Sequence, residues 1–155
     1  MTPFIEARGL SASYGATRAL DGLDMVVGRG EVVALLGENG SGKSTFLRVI
    51  ARVVAPDGGD LLFDGRPLAT LSRRETARRT AYLPQASDLV FPIRCLDLVL
   101  QGRAPHARGF SADSPGDRER ALAAMRTGTP PTVPEPTRTA SELPTFSSAL
   151  LIRSR

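Results

Sequence analysis

Nine consecutive residues constrain this chain more than any others: Gly37-Glu38-Asn39-Gly40-Ser41-Gly42-Lys43-Ser44-Thr45. They follow the pattern Gly-x-x-x-x-Gly-Lys-Ser/Thr, a loop that leaves a strand, wraps an anion and opens a helix. Gly37, Gly40 and Gly42 allow backbone conformations that a Cβ forbids, and let the chain approach a ligand closely. The successive N–H groups, those of Asn39 and Ser41 among them, then turn inward as a nest for phosphate oxygens. A helix starting near Lys43 aims the positive end of its dipole at the same point. Lys43 is the only lysine in the chain, and the other nineteen basic residues are arginines. A compact ammonium stands at the one position that must reach between two phosphates. The pattern places Lys43 on the β- and γ-phosphates, the Ser44 hydroxyl on Mg²⁺, and Thr45 beside the α-phosphate.

The flanks fit that loop. Glu31-Val32-Val33-Ala34-Leu35-Leu36 is a short apolar run, as expected of a strand buried on both faces. Thr45 to Ala51 reads as a helix with Phe46, Leu47, Ile50 and Ala51 on one face. Phe4 to Leu10 and Leu23 to Val27 read as earlier strands, and Asp60 to Phe63 as a strand ending in an Asp64-Gly65 turn. Ser72-Arg73-Arg74-Glu75 is a capping box, opening a helix to about Arg79. Thr80 to Pro84 is a short strand, Leu96 to Gln101 a helix stopped by Gly102, and Ser114-Pro115-Gly116-Asp117 a helix start leading to Met125.

Composition narrows the class. The 155 residues suit one domain at most. A lone cysteine, Cys95, excludes an internal disulfide and suits a reducing compartment. The first residues carry no basic stretch followed by an apolar run, and no apolar stretch approaches the ~20 residues that span a bilayer. The chain is therefore read as cytosolic. Its net charge of +4 comes from arginines scattered among 16 acidic residues. With 5 % aromatic residues there is no stacking platform, so the charge reads as a solvated surface and no nucleic acid is expected. Beyond Met125 the character changes: Pro130-Pro131-Thr132-Val133-Pro134-Glu135-Pro136 is neither helix nor central strand. No periodicity returns before Ala149-Leu150-Leu151-Ile152, and residues 126–155 read as a disordered tail or one of non-native register.

Over about residues 4 to 125 the chain resembles the ATP-binding subunit of an ABC transporter. The resemblance rests on the phosphate loop, on Ser13-Tyr14-Gly15 upstream, on Ala19-Leu20-Asp21-Gly22-Leu23, and on Tyr82-Leu83-Pro84-Gln85 downstream. It implies an α/β P-loop NTPase core of RecA-like type, with N-terminal antiparallel strands over residues 1–85 and the start of a helical subdomain over 86–125. It implies ATP and Mg²⁺ as ligands, Tyr14 as the adenine platform, and Gln85 touching Mg²⁺ or the attacking water. Ser44 and Gln85 are then the protein's contacts with the metal. It further implies a transmembrane permease as partner, a second ATP-binding subunit in a head-to-tail dimer, and a place on the inner face of the cell membrane. Phe91-Pro92 and Gly102-Arg103-Ala104-Pro105-His106 are similar to the helical segment of importers for iron-siderophore, haem or cobalamin. His106 itself, with no cysteine, histidine or carboxylate cluster beside it, reads as a surface residue.

The resemblance stops short of the whole family pattern, so the core is read as truncated. No Leu-Ser-Gly-Gly-Gln, no apolar run followed by Asp-Glu and no later switch histidine occurs in these 155 residues. Leu61-Leu62-Phe63-Asp64 imitates such a run, but Gly65 stands where the general base belongs. Apart from Lys43, no residue of the hydrolytic machinery is present. The expected chain binds ATP and is deficient in hydrolysis. A reading-frame error near codon 126, a genuine shortened product and a gene fragment each account for the break. Three functions compete: the ATPase of an importer, a nucleotide-binding module without catalysis, and another P-loop enzyme such as a small kinase. Tyr14 and Tyr82-Leu83-Pro84-Gln85 argue against the last.

Overall fold

The computed structural model describes residues 3–84, 92–107, 114–127 and 149–152. By its contacts the chain divides into two units, residues 1–85 with 146–155, and residues 86–145.

The first unit is built on a long hairpin. Strands β1 (Ile5–Tyr14) and β2 (Thr17–Val27) pair antiparallel across a two-residue turn whose Gly15 has φ 58°. Strand β3 (Gly58–Phe63) pairs with the other edge of β1, and β4 (Arg66–Pro67) with β3, giving the order β2-β1-β3-β4. Both hairpin strands run past their expected ends, because each continues to find a partner in the other. Ile5, Ala7, Leu10 and Ala12 of β1 are buried, and the alternation slips once, at Arg8-Gly9. A bulge there shifts register against both neighbours. The Gly9 N–H is satisfied by the Asp24 carboxylate at 2.7 Å. Gly59, at φ 77°, lies so close that a Cβ would run into the carbonyl oxygens of Arg8 and Gly9. The β3–β4 turn, Asp64-Gly65, has φ above zero at both residues, as a two-residue turn of type I′ needs.

Helix α1 (Lys43–Ile50) covers the buried face of this sheet. Phe46, Val49 and Ile50 enter the core beside Ile5, Leu10 and Phe63. Val49 and Thr45 join the buried side, whereas Leu47 and Ala51 are only half-buried, so the helix faces the sheet a little differently from the expected stripe. Helix α2 (Arg73–Ala77) begins with the expected capping box: the Ser72 hydroxyl accepts from the Glu75 N–H, and the Glu75 carboxylate accepts from the Ser72 N–H. It leads into β5 (Thr80–Leu83).

One expectation changes. Residues 31–36 form no strand, and Val32 and Leu36 are 97 % and 87 % exposed. A strand is a pairing, and among the described residues nothing pairs with this run. Residues 126–155, read as a disordered tail or one of non-native register, lie mostly outside the described residues; among those described is β6 (Ala149–Ile152), which pairs antiparallel with β5. That strand falls on the one apolar run of the tail.

The second unit holds α3 (Cys95–Gln101), a 3-10 turn (Ala104–His106) and α4 (Pro115–Thr127). Leu100, Ala107 and Ala121 are its buried apolar residues. Asp117 ties it together. Its carboxylate accepts from the Ser114 hydroxyl at 2.7 Å and from Arg103 Nε at 2.8 Å, while its N–H donates to the Ser114 hydroxyl. His106 is half-buried, not at the surface as expected, because the 3-10 turn folds it back towards the unit.

Candidate functional site

The loop between residues 37 and 42 closes around one ammonium. Lys43 Nζ donates to the carbonyl oxygens of Gly37 at 2.8 Å and Glu38 at 2.6 Å, and to the Ser41 hydroxyl at 3.1 Å. Its three donors are thus all used inside the loop, which is held as a ring with the charge at its centre. The Ser41 N–H closes a turn on the Glu38 carbonyl, and the Phe46 N–H makes the first helical bond to the Gly42 carbonyl. Helix α1 starts at Lys43 with no acidic residue in its first turn, so its positive end is not neutralised locally.

Gly42 fixes where this ring sits. It caps α1 at φ 86°. An ideal Cβ there would stand 2.8 Å from Leu20 Cδ2 and closer still to the Ala19 carbonyl oxygen. The glycine therefore lets the loop lie directly on β2. That contact brings the hairpin, and Tyr14 at its tip, onto the side of α1 that follows the loop.

Tyr14 is 44 % exposed. Its hydroxyl accepts from Arg48 Nη1 at 3.3 Å. The Arg48 hydrogen bond is the main influence holding the phenol below its ordinary ionisation range. The Tyr82 phenol of β5, with that of Tyr14, favours the charged form of Arg48. Ser44 follows Lys43 in the first turn of α1 and is half-buried. Gly37, Ser41 and Lys43 are thus joined by hydrogen bonds, Asn39 and Gly40 belong to the loop they close, Gly42 rests on β2, Ser44 and Thr45 are in the first turn of α1, and Tyr14 reaches that helix through Arg48. Gln85 lies outside the described residues. Among the described residues no three His, Cys, Asp or Glu side chains gather as a metal site. One serine hydroxyl in the helix turn after the Lys43 loop fits Mg²⁺ carried on a nucleotide, since that ion takes few protein ligands and keeps several waters. Sequence reasoning missed Arg48, because its partner is 34 residues away and no local pattern links them.

A glycine-rich loop closed on a lysine at a helix start, joined to an antiparallel hairpin, is the arrangement of a P-loop α/β protein. Comparison with known proteins narrows this: the family model described as ABC transporter matches residues 20–131, and the chain belongs to that family. The hemin import ATP-binding protein HmuV of Thermobifida fusca is 43 % identical over 122 residues, covering 79 % of this chain and 42 % of that protein. The petrobactin import ATP-binding protein FpuD of Bacillus anthracis is 37 % identical over 119 residues, covering 77 % of this chain and 44 % of that protein. Among solved structures, a dimeric bacterial ABC transporter cassette superposes with a TM-score of 0.62 at 25 % identity, covering 79 % of this chain and 56 % of that one. The chain spans less than half the length of the two import proteins. No helix among the described residues is long and apolar enough to cross a membrane.

Proposed function

We propose that this chain is the nucleotide-gripping part of the ATP-binding subunit of an importer for haem or an iron-siderophore. The observation that carries the reading is the Lys43 ammonium, centred in its loop at the start of α1. Mg-ATP enters with its triphosphate in the nest, its Mg²⁺ on Ser44 and its base on the exposed ring of Tyr14; Gln85 completes the metal side. The likeness to a hemin and a petrobactin import protein supports the substrate class. The dimeric cassette supports a second ATP-binding subunit as partner. The permease of the importer holds the pair on the inner face of the membrane. In the complete site, hydrolysis depends on positioning and on electrostatic stabilisation of the γ-phosphate.

By itself the chain binds ATP without turning it over. No Asp-Glu pair follows an apolar run in these 155 residues. Asp64, which ends the one imitation of such a run, has its carboxylate engaged by Arg29 and Arg79 within the β3–β4 turn. A phosphate-release assay tests this. The chain is expected to release phosphate no faster than its Lys43→Ala variant, and turnover that disappears with that substitution contradicts the reading.

A further inference from the structure

Arg48 lies on α1 one turn beyond Thr45, with its guanidinium directed at the Tyr14 hydroxyl. That hydrogen bond, 3.3 Å long, ties the tip of a side chain on β1 to a helix 34 residues further along the chain. Arg48 stands on a helix that packs against both β2 and β5, so its own place is set by the fold. A tyrosine side chain has several staggered wells at χ1, and a partner at its hydroxyl selects among them. A ring held in advance loses less freedom when a flat ligand stacks on it.

We infer that Arg48 is a positioning residue, which orients the ring of Tyr14 to receive the base of the nucleotide and does not itself touch the phosphates. The inference rests on the reading of Tyr14 as the base platform. It assigns to a helix residue a part in base recognition, separate from the triphosphate grip of Lys43.

The chain has two tyrosines and no tryptophan, so tyrosine spectra report on this site directly. The full 155-residue chain and its variants are titrated with Mg-ATP and, separately, with Mg-tripolyphosphate, which has no base. Arg48→Met is expected to weaken ATP binding about 5-fold, on the scale of one hydrogen bond, and to leave tripolyphosphate binding unchanged. Tyr14→Phe, which keeps the ring and loses the hydroxyl, is expected to do the same. The double variant should be no weaker than either single one. Tyrosinate absorbance, taken as the difference from Tyr14→Phe, should show Tyr14 ionising at higher pH once Arg48 is replaced. Equal losses for ATP and tripolyphosphate, or additive losses in the double variant, would overturn the inference. So would an unchanged Arg48→Met beside a weakened Tyr14→Ala, and in that case the platform reading stands. Unchanged ATP binding in Tyr14→Ala overturns the platform reading, and the inference with it.

Discussion

Lys43 spends its three N–H groups on Gly37, Glu38 and Ser41, so in the proposed complex a triphosphate would exchange one set of oxygen acceptors for another. The exchange needs no rearrangement of the helix, because the loop is already closed around the charge. Gly42 carries the geometric demand. A residue with a Cβ at its positive φ costs about 1–2 kcal/mol, before any clash with Ala19 and Leu20 is counted. Gly42→Ala is therefore expected to lower stability by at least about that much in urea unfolding, and to abolish ATP binding. Unchanged stability would mean that the loop does not rest on β2. At this scale the loop's own geometry was legible in the sequence, since the ring closed on Lys43 and the helix start after it need only nine adjacent residues. Arg48 was not, because its role depends on a contact made only once the hairpin folds onto α1.

Local devices at the level of elements were equally legible. The capping box at Ser72 and the helix start at Ser114 each need only four neighbouring residues, and both form. Glu75 is held below the usual carboxylate range first by the Ser72 N–H and then by its hydroxyl; Asp117 is held low first by the Ser114 hydroxyl and then by Arg103. Both folded values are depressed, so their stabilisation is present above the unfolded carboxylate range and is lost as pH falls through the folded values. Thermal midpoints measured from pH 7 downwards should fall in acid, and fall less steeply in Glu75→Gln and in Asp117→Asn. A variant with an unaltered acid profile would show that its carboxylate contributes nothing. The run of residues 31–36 was misread for the opposite reason. Its apolar content marked a strand, but a strand exists only against a neighbour. Leu36→Ser, at an 87 % exposed position, should reduce light scattering at high concentration with little change in the urea midpoint. An unchanged scattering curve would remove this run as the source of association.

For the whole molecule, the sheet of four strands and α1 enclose a real but small core, while Val32, Val33 and Leu36 stay uncovered. Exposed apolar residues beside unpaired backbone invite association. The isolated chain is expected to be marginally stable and to associate as its concentration rises, and a thermal midpoint typical of mesophile domains in a chain that stays monomeric would refute this. The fold class was readable because motif, flanking patterns and upstream tyrosine agree on one arrangement. The pairing of β6 with β5 was not, because the four residues of β6 carry no mark of their partner. The central claim is that these 155 residues grip a nucleoside triphosphate through Lys43. Isothermal titration with Mg-ATP tests it most directly. The chain is expected to saturate with one ATP and its Lys43→Ala variant to show no binding, whereas equal binding by the two would contradict the claim.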